Sequence, residues 1–170
     1  MTRKTAYLSV IFALIAGGFP VYRPVIAVSD TVVISQIYGG GGNSGALYKN
    51  DFIELFNRGS TPISLDGWSV QYASATGNTW QVTMLSGVLQ PGQYYLIRQA
   101  GGSGGTQDLP DADAIGSINL NATSGKVALV NASTPLSGAC PPDTTIIDLI
   151  GYGSANCYEG ESAPSLNNTT

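Results

Sequence analysis

The chain is divided into short apolar runs by clusters of glycine, asparagine, aspartate, serine and proline, and this punctuation constrains its fold more than any other feature. Short runs rich in β-branched and aromatic residues, bounded by such clusters, are typical of strands. The sequence shows no long 3.6-residue apolar pattern that would predict a helix. Eight runs at this spacing predict an all-β sandwich or barrel. The predicted strands are 31–38, 51–57, 67–73, 79–85, 93–99, 114–120, 126–131 and 145–151.

Two of the runs, 94–97 and 127–130, are apolar at consecutive positions. A strand that is apolar on both faces is usually buried on both, so we predict that these runs form central strands. Trp80 alternates with polar Gln81, and Trp68 follows a glycine; we predict that both indoles lie in the core. Five tyrosines are instead expected at the surface, because their hydroxyl groups tolerate water: Tyr38, Tyr48, Tyr72, Tyr94 and Tyr95.

The start of the chain differs from the rest. Arg3 and Lys4 precede the apolar run 6–16, and small residues follow near position 28. A charged start, an apolar stretch and a small-residue cleavage site are the parts of a secretory signal peptide, which we predict over residues 1–29. The alternative is an uncleaved anchor, but glycine, proline and arginine interrupt the roughly 20 apolar residues that a spanning helix needs. We therefore expect a secreted or cell-surface protein with no stable membrane span after cleavage.

Removal of that segment leaves an acidic domain. It takes away three of the seven basic residues and none of the eleven acidic ones, so the mature net charge is −7. Charge of this sign repels phosphate backbones, from which most non-specific affinity for nucleic acid arises. Binding to nucleic acid would need a local basic patch, built from the four bases that remain, Lys49, Arg58, Arg98 and Lys126.

Cys140 and Cys157 are the two cysteines of the chain and enclose 16 residues. Exported proteins keep disulfides, and closing a loop of this length contributes on the order of 3 kcal/mol in the chain-entropy model. A zinc site would need two further cysteine or histidine ligands, and the chain has no histidine. We therefore predict a structural disulfide in preference to a metal pair or a reactive thiol.

The segment YGGGGNSG, residues 38–45, contains the spacing Gly40-x-Gly42-x-x-Gly45 directly after the first predicted strand. Dinucleotide-binding turns share this spacing, but they place the phosphates at the N-terminus of a helix inside a βαβ unit. The residues that follow are again strand-like, so the sequence predicts no such helix and no nucleotide cofactor. We interpret the segment as a long, flexible connection between the first two strands.

Loops carried on a rigid sheet are common places for recognition. This connection has polar side chains near its tip and a basic residue behind it. We predict a recognition surface that includes Asn43, Ser44, Tyr48, Lys49 and Arg58.

The carboxylates provide two further candidate sites. Asp108, Asp111 and Asp113 could offer oxygen ligands to calcium, but their spacing lacks the calcium-loop pattern, which favours a solvated acidic loop. Asp51 and Glu54 lie three apart on a predicted strand, so they point to opposite faces and cannot easily converge on one substrate. Without histidine or an expected free thiol, we predict no catalytic residue, no metal site and no cofactor, with calcium as the alternative.

Several stretches occur in a characteristic order: VVISQIYGG, DFIELFN, LDGW, LQPGQYYLI, SGKVALVN and IIDLIGYG. Together they resemble the lamin tail domain, in particular its secreted bacterial versions, over residues 31–158. The resemblance implies an immunoglobulin-like β-sandwich. In eukaryotes the domain ends nuclear lamins and is linked to chromatin and protein contacts. In bacteria it resembles an accessory module of exported proteins, often beside nuclease or phosphatase domains of the endonuclease/exonuclease/phosphatase type, and such a neighbour would lie beyond residue 170.

These observations predict a signal peptide at 1–29, an immunoglobulin-like β-sandwich at 30–159 and a polar linker or tail at 160–170. The predicted function is that of a secreted, non-catalytic binding module. Its expected partners are protein, polysaccharide or DNA at the cell surface. The alternatives are a targeting domain for a secreted DNA-degrading hydrolase and a structural spacer at the cell surface.

Overall fold

The computed structural model describes residues 29–142 and 144–167, so the predicted signal peptide lies outside the described residues except for its last position. Among the residues described, none forms a helix long and apolar enough to cross a membrane. The described part of the chain contains ten strands: β1 (Val32–Tyr38), β2 (Asn50–Asn57), β3 (Ile63–Ser64), β4 (Ser69–Ser74), β5 (Gln81–Met84), β6 (Val88–Leu89), β7 (Tyr94–Gly101), β8 (Ala114–Ile115), β9 (Gly125–Val130) and β10 (Ile146–Tyr152).

Most of the strands form two four-stranded sheets, and β3 pairs separately with β6. The first sheet has the order β1-β2-β7-β8 and the second the order β10-β9-β4-β5. Pairing is antiparallel throughout the two sheets except between β7 and β8, which are parallel. This arrangement confirms the predicted all-β sandwich. β7 and β9 are central strands, as their continuous apolar runs predicted.

The core lies between the sheets because alternate residues of each strand point inward. Ile53 and Leu55 of β2 meet Val127 and Leu129 of β9 in one cluster, and all four side chains are fully buried. Burying one such side chain contributes about 1.5–3 kcal/mol. The two inner faces therefore supply the main apolar stabilisation of the sandwich.

The surface prediction is wrong for Tyr38, Tyr72 and Tyr95, which are buried. A tyrosine ring can enter the core when its hydroxyl group finds a hydrogen-bond partner at the rim. The Tyr95 hydroxyl, for example, donates to a backbone carbonyl 2.9 Å away. Trp80 is buried and Trp68 packs against the core, as predicted.

Two differences from the predicted strands have local causes. The run predicted as a strand at 114–120 pairs only over β8 and then bends inward, where the backbone N–H of Ile118 donates to the buried side chain of Gln99 at 3.0 Å. The strands β3 and β6 were not predicted. Each has two residues, which is too short to show a periodic pattern.

The outer face of the second sheet is covered by the segment 132–140. Gln71 on β4 is fully buried and holds this segment with both ends of its amide. Its Nε2 donates to the Thr134 carbonyl at 3.0 Å, and its Oε1 accepts from the Leu136 N–H at 2.8 Å. A second apolar cluster, which includes Trp80 and Leu136, forms beneath the segment.

Lys126 lies under this cover and is fully buried, which corrects its place among the candidate bases of a surface patch. Its ammonium donates to the carbonyls of Gly77 at 2.8 Å and Ala139 at 2.6 Å, and to Asn156 Oδ1 at 3.0 Å. The same ammonium lies 5.4 Å from the centroid of the Trp80 ring. Desolvation by burial lowers the pKa of Lys126.

The predicted disulfide is present between Cys140 and Cys157. It joins the end of the covering segment to the turn after β10. The residues immediately before the two cysteines are Ala139 and Asn156, which both accept hydrogen bonds from Lys126. The disulfide therefore fixes two of the three acceptors around the buried ammonium.

The segment predicted as a polar linker or tail returns to the sheet over its described part. Ala163 donates its backbone N–H to the Gly151 carbonyl at 2.8 Å and accepts from the Gly153 N–H at 3.0 Å. Ala163 and Leu166 also pack against the main core. Two apolar residues are enough to attach this polar segment to the sandwich. Its average composition did not predict the attachment.

On one side of the sandwich, Asp148 of β10 connects the second sheet to β1 of the first. Its Oδ2 accepts from the Ile34 N–H of β1 at 2.7 Å, next to an irregularity in the β1 register. Desolvation by burial raises the pKa of Asp148. The pKa of neighbouring Glu159 is also raised, first by desolvation and then by the charge of Asp148.

Candidate functional site

Three connections meet at one end of the sandwich, and we call this surface the loop end: residues 39–49, 102–108 and 119–124. Residues 39–49 join β1 to β2, residues 102–108 follow β7, and residues 119–124 precede β9. They meet because β2 begins where β1 and β7 end. The sheet topology thus assembles one surface from three distant parts of the sequence.

The glycines of the first two connections pack backbone against backbone. Gly42 has a φ of 72°, and a Cβ on it would overlap the backbone of Gly102. Its N–H donates to the Tyr48 carbonyl at 2.9 Å, and its carbonyl accepts from the Gly104 N–H at 2.8 Å. The glycine-rich segment, which we expected to be a loose connection, is therefore a packed one. Only residues without a side chain allow this approach.

Asp51 joins the first connection to the third. Its side chain is almost fully buried. One carboxylate oxygen accepts from the Gly41 N–H at 2.8 Å and the other from the Leu120 N–H at 2.8 Å. Desolvation outweighs these hydrogen bonds and raises the pKa of Asp51 to about 6. The side chain therefore holds two loops together, and its contact with Leu120 joins residues 69 apart in sequence.

Two buried tyrosines of the second sheet hold the third connection from below. The Tyr72 hydroxyl accepts from the Asn121 N–H at 3.1 Å, and the Tyr152 hydroxyl donates to the Asn121 carbonyl at 2.7 Å. Burial raises the pKa of both hydroxyl groups above its ordinary value. Hydrogen bonds to both its N–H and its carbonyl thereby fix the backbone of Asn121.

A cleft of about 400 Å³ opens between the first and third connections. The polar residues Asn43, Asn119, Asn121 and Thr123 line it, together with Tyr72, Leu120 and Ala122. The lining side chains carry no formal charge. The arrangement can therefore offer hydrogen-bond donors and acceptors, but it provides no ionic group and no nucleophile paired with a base.

The predicted recognition residues do not form one surface. Asn43 lines the cleft, Ser44 is exposed beside it, and the Tyr48 ring packs edge-on at 5.6 Å from Tyr38. Lys49 is at the same end and pairs with Asp108 at 2.9 Å. Arg58 lies beyond the far end of β2, which has eight residues and so spans roughly 25 Å. Four of the five residues are brought together, and Arg58 is separated from them.

The candidate calcium ligands are dispersed. Asp108 pairs with Lys49, and Asp113 accepts from the Leu96 N–H at 2.8 Å. Within residues 29–142 and 144–167, no group of three or more histidine, cysteine, aspartate or glutamate side chains is arranged to hold a metal ion.

The carboxylate pair has the predicted geometry. Glu54 points away from Asp51, to the outer face of the first sheet, where it accepts from the Ser35 hydroxyl at 2.7 Å.

The glycine segment leads into β2 and not into a helix.

Sequence reasoning missed the third connection. Asn119, Asn121 and Thr123 fell inside or beside a run predicted as a strand, and nothing local marks them as part of a site. The available signal was Asp51: a polar residue opening an otherwise apolar strand, close to a glycine-rich turn, indicates that backbone donors need an acceptor. It does not indicate which distant donors those are.

Comparison with known proteins agrees with this architecture. The model of the lamin tail domain family matches residues 27–154, which is most of the chain. The chain belongs to the lamin tail domain family. Lamin tail domains are non-catalytic and immunoglobulin-like, so the predicted fold class is confirmed. The sequence matches no curated protein.

Among solved structures, this lamin tail domain is similar to a DUF4876 family protein from Bacteroides thetaiotaomicron. The TM-score is 0.50 at 14% sequence identity, and the match covers 75% of this chain and 55% of that one. The similarity concerns the fold alone. The chain thus spans about half the length of this structural neighbour.

Proposed function

We propose that this lamin tail domain is an exported, non-catalytic binding module that recognises its ligand with the loop end. The observation that carries the proposal is the Asp51 clamp, which holds the connection 39–49 and the connection 119–124 in one fixed arrangement. A surface that is ordered before binding loses less conformational entropy when the ligand binds. The rest of the sandwich serves as its support.

The contacts of the carboxylates support a non-catalytic role. Asp51 has both oxygens engaged by backbone N–H groups, and Glu54 is directed to the other face. The chain has no histidine, and both cysteines are in the disulfide. General acid–base or nucleophilic catalysis would need a titratable group within reach of a bound substrate.

Export is supported by two independent features. The disulfide between Cys140 and Cys157 is stable in an oxidising compartment. The charged start and apolar run of residues 1–16 are those of a signal peptide. N-terminal sequencing of the protein from culture medium tests this directly: a mature start near residue 30 is expected, and retention of Met1 in the cell fraction would contradict export.

Binding is tested with two matched variants that place a charge at opposite ends of the sandwich. Leu47 at the loop end is 37% exposed, and Val88 near the other end is 55% exposed. The labelled secreted protein is incubated with insoluble cell-envelope material. Leu47→Glu should weaken retention, and Val88→Glu should leave it unchanged. The reverse pattern would place recognition elsewhere, and hydrolysis of added DNA or polymer would contradict the non-catalytic assignment.

The alternative, a targeting domain for a DNA-degrading hydrolase, has less support from the charges. Lys126 is buried and Lys49 is paired with Asp108. Arg58 and Arg98 lie in different parts of the first sheet, beyond β2 and on β7. Because electrostatic contacts with DNA are strongest at low salt, no retention on DNA-cellulose at 20 mM salt would exclude direct DNA recognition.

A further inference from the structure

The chemistry of the cleft at the loop end is distinctive. Small-molecule sites of about 300–1,000 Å³ are usually lined mainly by apolar side chains. This cleft falls within that size range at about 400 Å³, yet its lining is mostly polar, and four of its seven residues are asparagine or threonine. Its ligand must therefore be one that benefits from many neutral hydrogen bonds.

Two of the lining amides have hydrogen-bonding capacity to spare. Asn121 Oδ1 accepts from the Thr123 N–H at 2.9 Å, from the Thr123 hydroxyl at 3.0 Å and from the Ser124 N–H at 3.1 Å. These contacts fix the rotamer and leave Nδ2 without a protein partner among the described residues. Asn119 is exposed, and its side chain makes no hydrogen bond within residues 29–142 and 144–167. Asn121 thus presents a donor in a fixed position, and the exposed Asn119 amide offers a further donor and an acceptor beside it.

The charges restrict the class of ligand further. The lining has no lysine or arginine to attract a phosphate, sulfate or carboxylate. Asp51 lies behind the cleft, but backbone N–H groups satisfy both of its oxygens, so it does not offer a site for a cation. A neutral ligand with paired donor and acceptor groups fits these constraints, and sugar hydroxyls have that property.

We propose that the cleft between residues 43 and 119–123 binds a neutral saccharide through the amides of Asn119 and Asn121. This inference rests on the proposed binding function and names its ligand class. Tyr72 and Leu120 are buried beneath the cleft, so its contacts with a sugar are mainly polar. The fixed backbone of the third connection means that binding requires little rearrangement of the loop.

The test uses the full secreted chain on an array of neutral oligosaccharides, namely glucans, mannans, galactans, xylans and N-acetylglucosamine oligomers, with sulfated and uronic-acid members beside them. We expect binding to at least one neutral member, with little dependence on salt. Asn119→Ala should weaken it about three- to tenfold, as expected for one or two neutral hydrogen bonds. Ala122→Phe, which fills the cleft without adding charge, should weaken it more than tenfold.

Asn131→Ala is the matched control, because Asn131 is an exposed asparagine at the other end of β9. It should leave binding unchanged. If neutral oligosaccharides bind equally well to Asn119→Ala and Ala122→Phe, the cleft is not the site, although the binding function stands. If no neutral member binds while the protein still adheres to cell-envelope material in a manner sensitive to Leu47→Glu, the saccharide class is wrong. If neither probe is bound, the proposed function itself fails.

Discussion

Asp51 and Lys126 are both buried ionisable side chains that hydrogen-bond to neutral groups, yet they lie in different parts of the sandwich. Asp51 accepts from two backbone N–H groups and connects two loops beside an open cleft. Lys126 donates to two carbonyls and an amide oxygen beneath a segment that is closed by the disulfide. In both places a buried ionisable side chain holds backbone segments together. The segments around Asp51 leave an open cleft, whereas those around Lys126 are closed to solvent.

The difference comes from what surrounds each gathered loop. Around Lys126, Trp80 and Leu136 fill the space with an apolar cluster. Around Asp51, the loops carry asparagine and threonine side chains and leave a cleft. We therefore expect changes near Lys126 to affect stability alone, whereas changes near Asp51 affect stability and binding together.

The largest effect is expected from Lys126→Ala. It removes a buried stem and leaves two carbonyl oxygens without a donor, at a cost of roughly 4 kcal/mol in the free energy of unfolding. Lys126→Met keeps most of the packing and should cost about half as much. Urea denaturation of both variants measures this. A loss below 1 kcal/mol for Lys126→Ala would show that water replaces the ammonium at little cost, and that the region is less sealed than proposed.

Loss of the disulfide should come next. Cys157→Ser is expected to lower the free energy of unfolding by about 3 kcal/mol, because the unfolded chain gains freedom. Ala139 and Asn156 adjoin the two cysteines and hold the Lys126 ammonium, so the effect of Cys157→Ser should be non-additive with that of Lys126→Met. Strict additivity would mean that the disulfide and the lysine cage are independent. Saccharide binding should be unchanged in Cys157→Ser below its unfolding transition.

The ionisation of Asp51 should make the stability of the protein depend on pH. Its pKa is raised from 3.8 to about 6 by burial, so between these values the folded state holds a proton that the unfolded state has lost. Stability should therefore fall by about 2 kcal/mol as pH rises from 4 to 7. Asp148 and Glu159, whose pKa values are also raised, act in the same direction.

Urea denaturation at several pH values, on the wild type and on Asp51→Asn, isolates the Asp51 contribution. The variant should show a shallower fall between pH 4 and 7, although its absolute stability changes as well. A stability that rises with pH through this window in the wild type alone would mean that the fold favours the ionised form of Asp51.

The smallest effect is expected at Lys49. Its ion pair with Asp108 is exposed on both sides, and pairs of this kind contribute about 0–1 kcal/mol. Lys49→Ala should lower the free energy of unfolding by no more than about 0.5 kcal/mol, and 0.5 M salt should remove the difference. This variant is also the exposed counterpart of Lys126→Ala, and comparable losses in the two would contradict the distinction between a surface lysine and a buried one.

Much of the fold follows from local patterns, and the site does not. The runs that became β7 and β9 carry enough apolar residues in sequence to predict a strand and its central place. Tyr38, Tyr72 and Tyr95 were wrongly predicted at the surface. The sequence pattern of one strand does not show whether a buried tyrosine hydroxyl will find a hydrogen-bond partner at the edge of the core. Asn119 and Asn121 could not be connected with Asn43, since the connection is made by Asp51 across 69 residues.

The sequence by itself determined that this chain is all-β with a disulfide, because short apolar runs, turn residues and the cysteine pair are local signals; the family came from its resemblance to lamin tail domains. The tertiary structure alone decided which polar residues are buried and which are available. Lys126 became part of the interior and Arg58 was carried to the far end of β2, while three asparagines came together around one cleft. The physical reason is that burial and proximity depend on contacts between distant strands, and the loop end forms only where β1 and β7 end beside the start of β9.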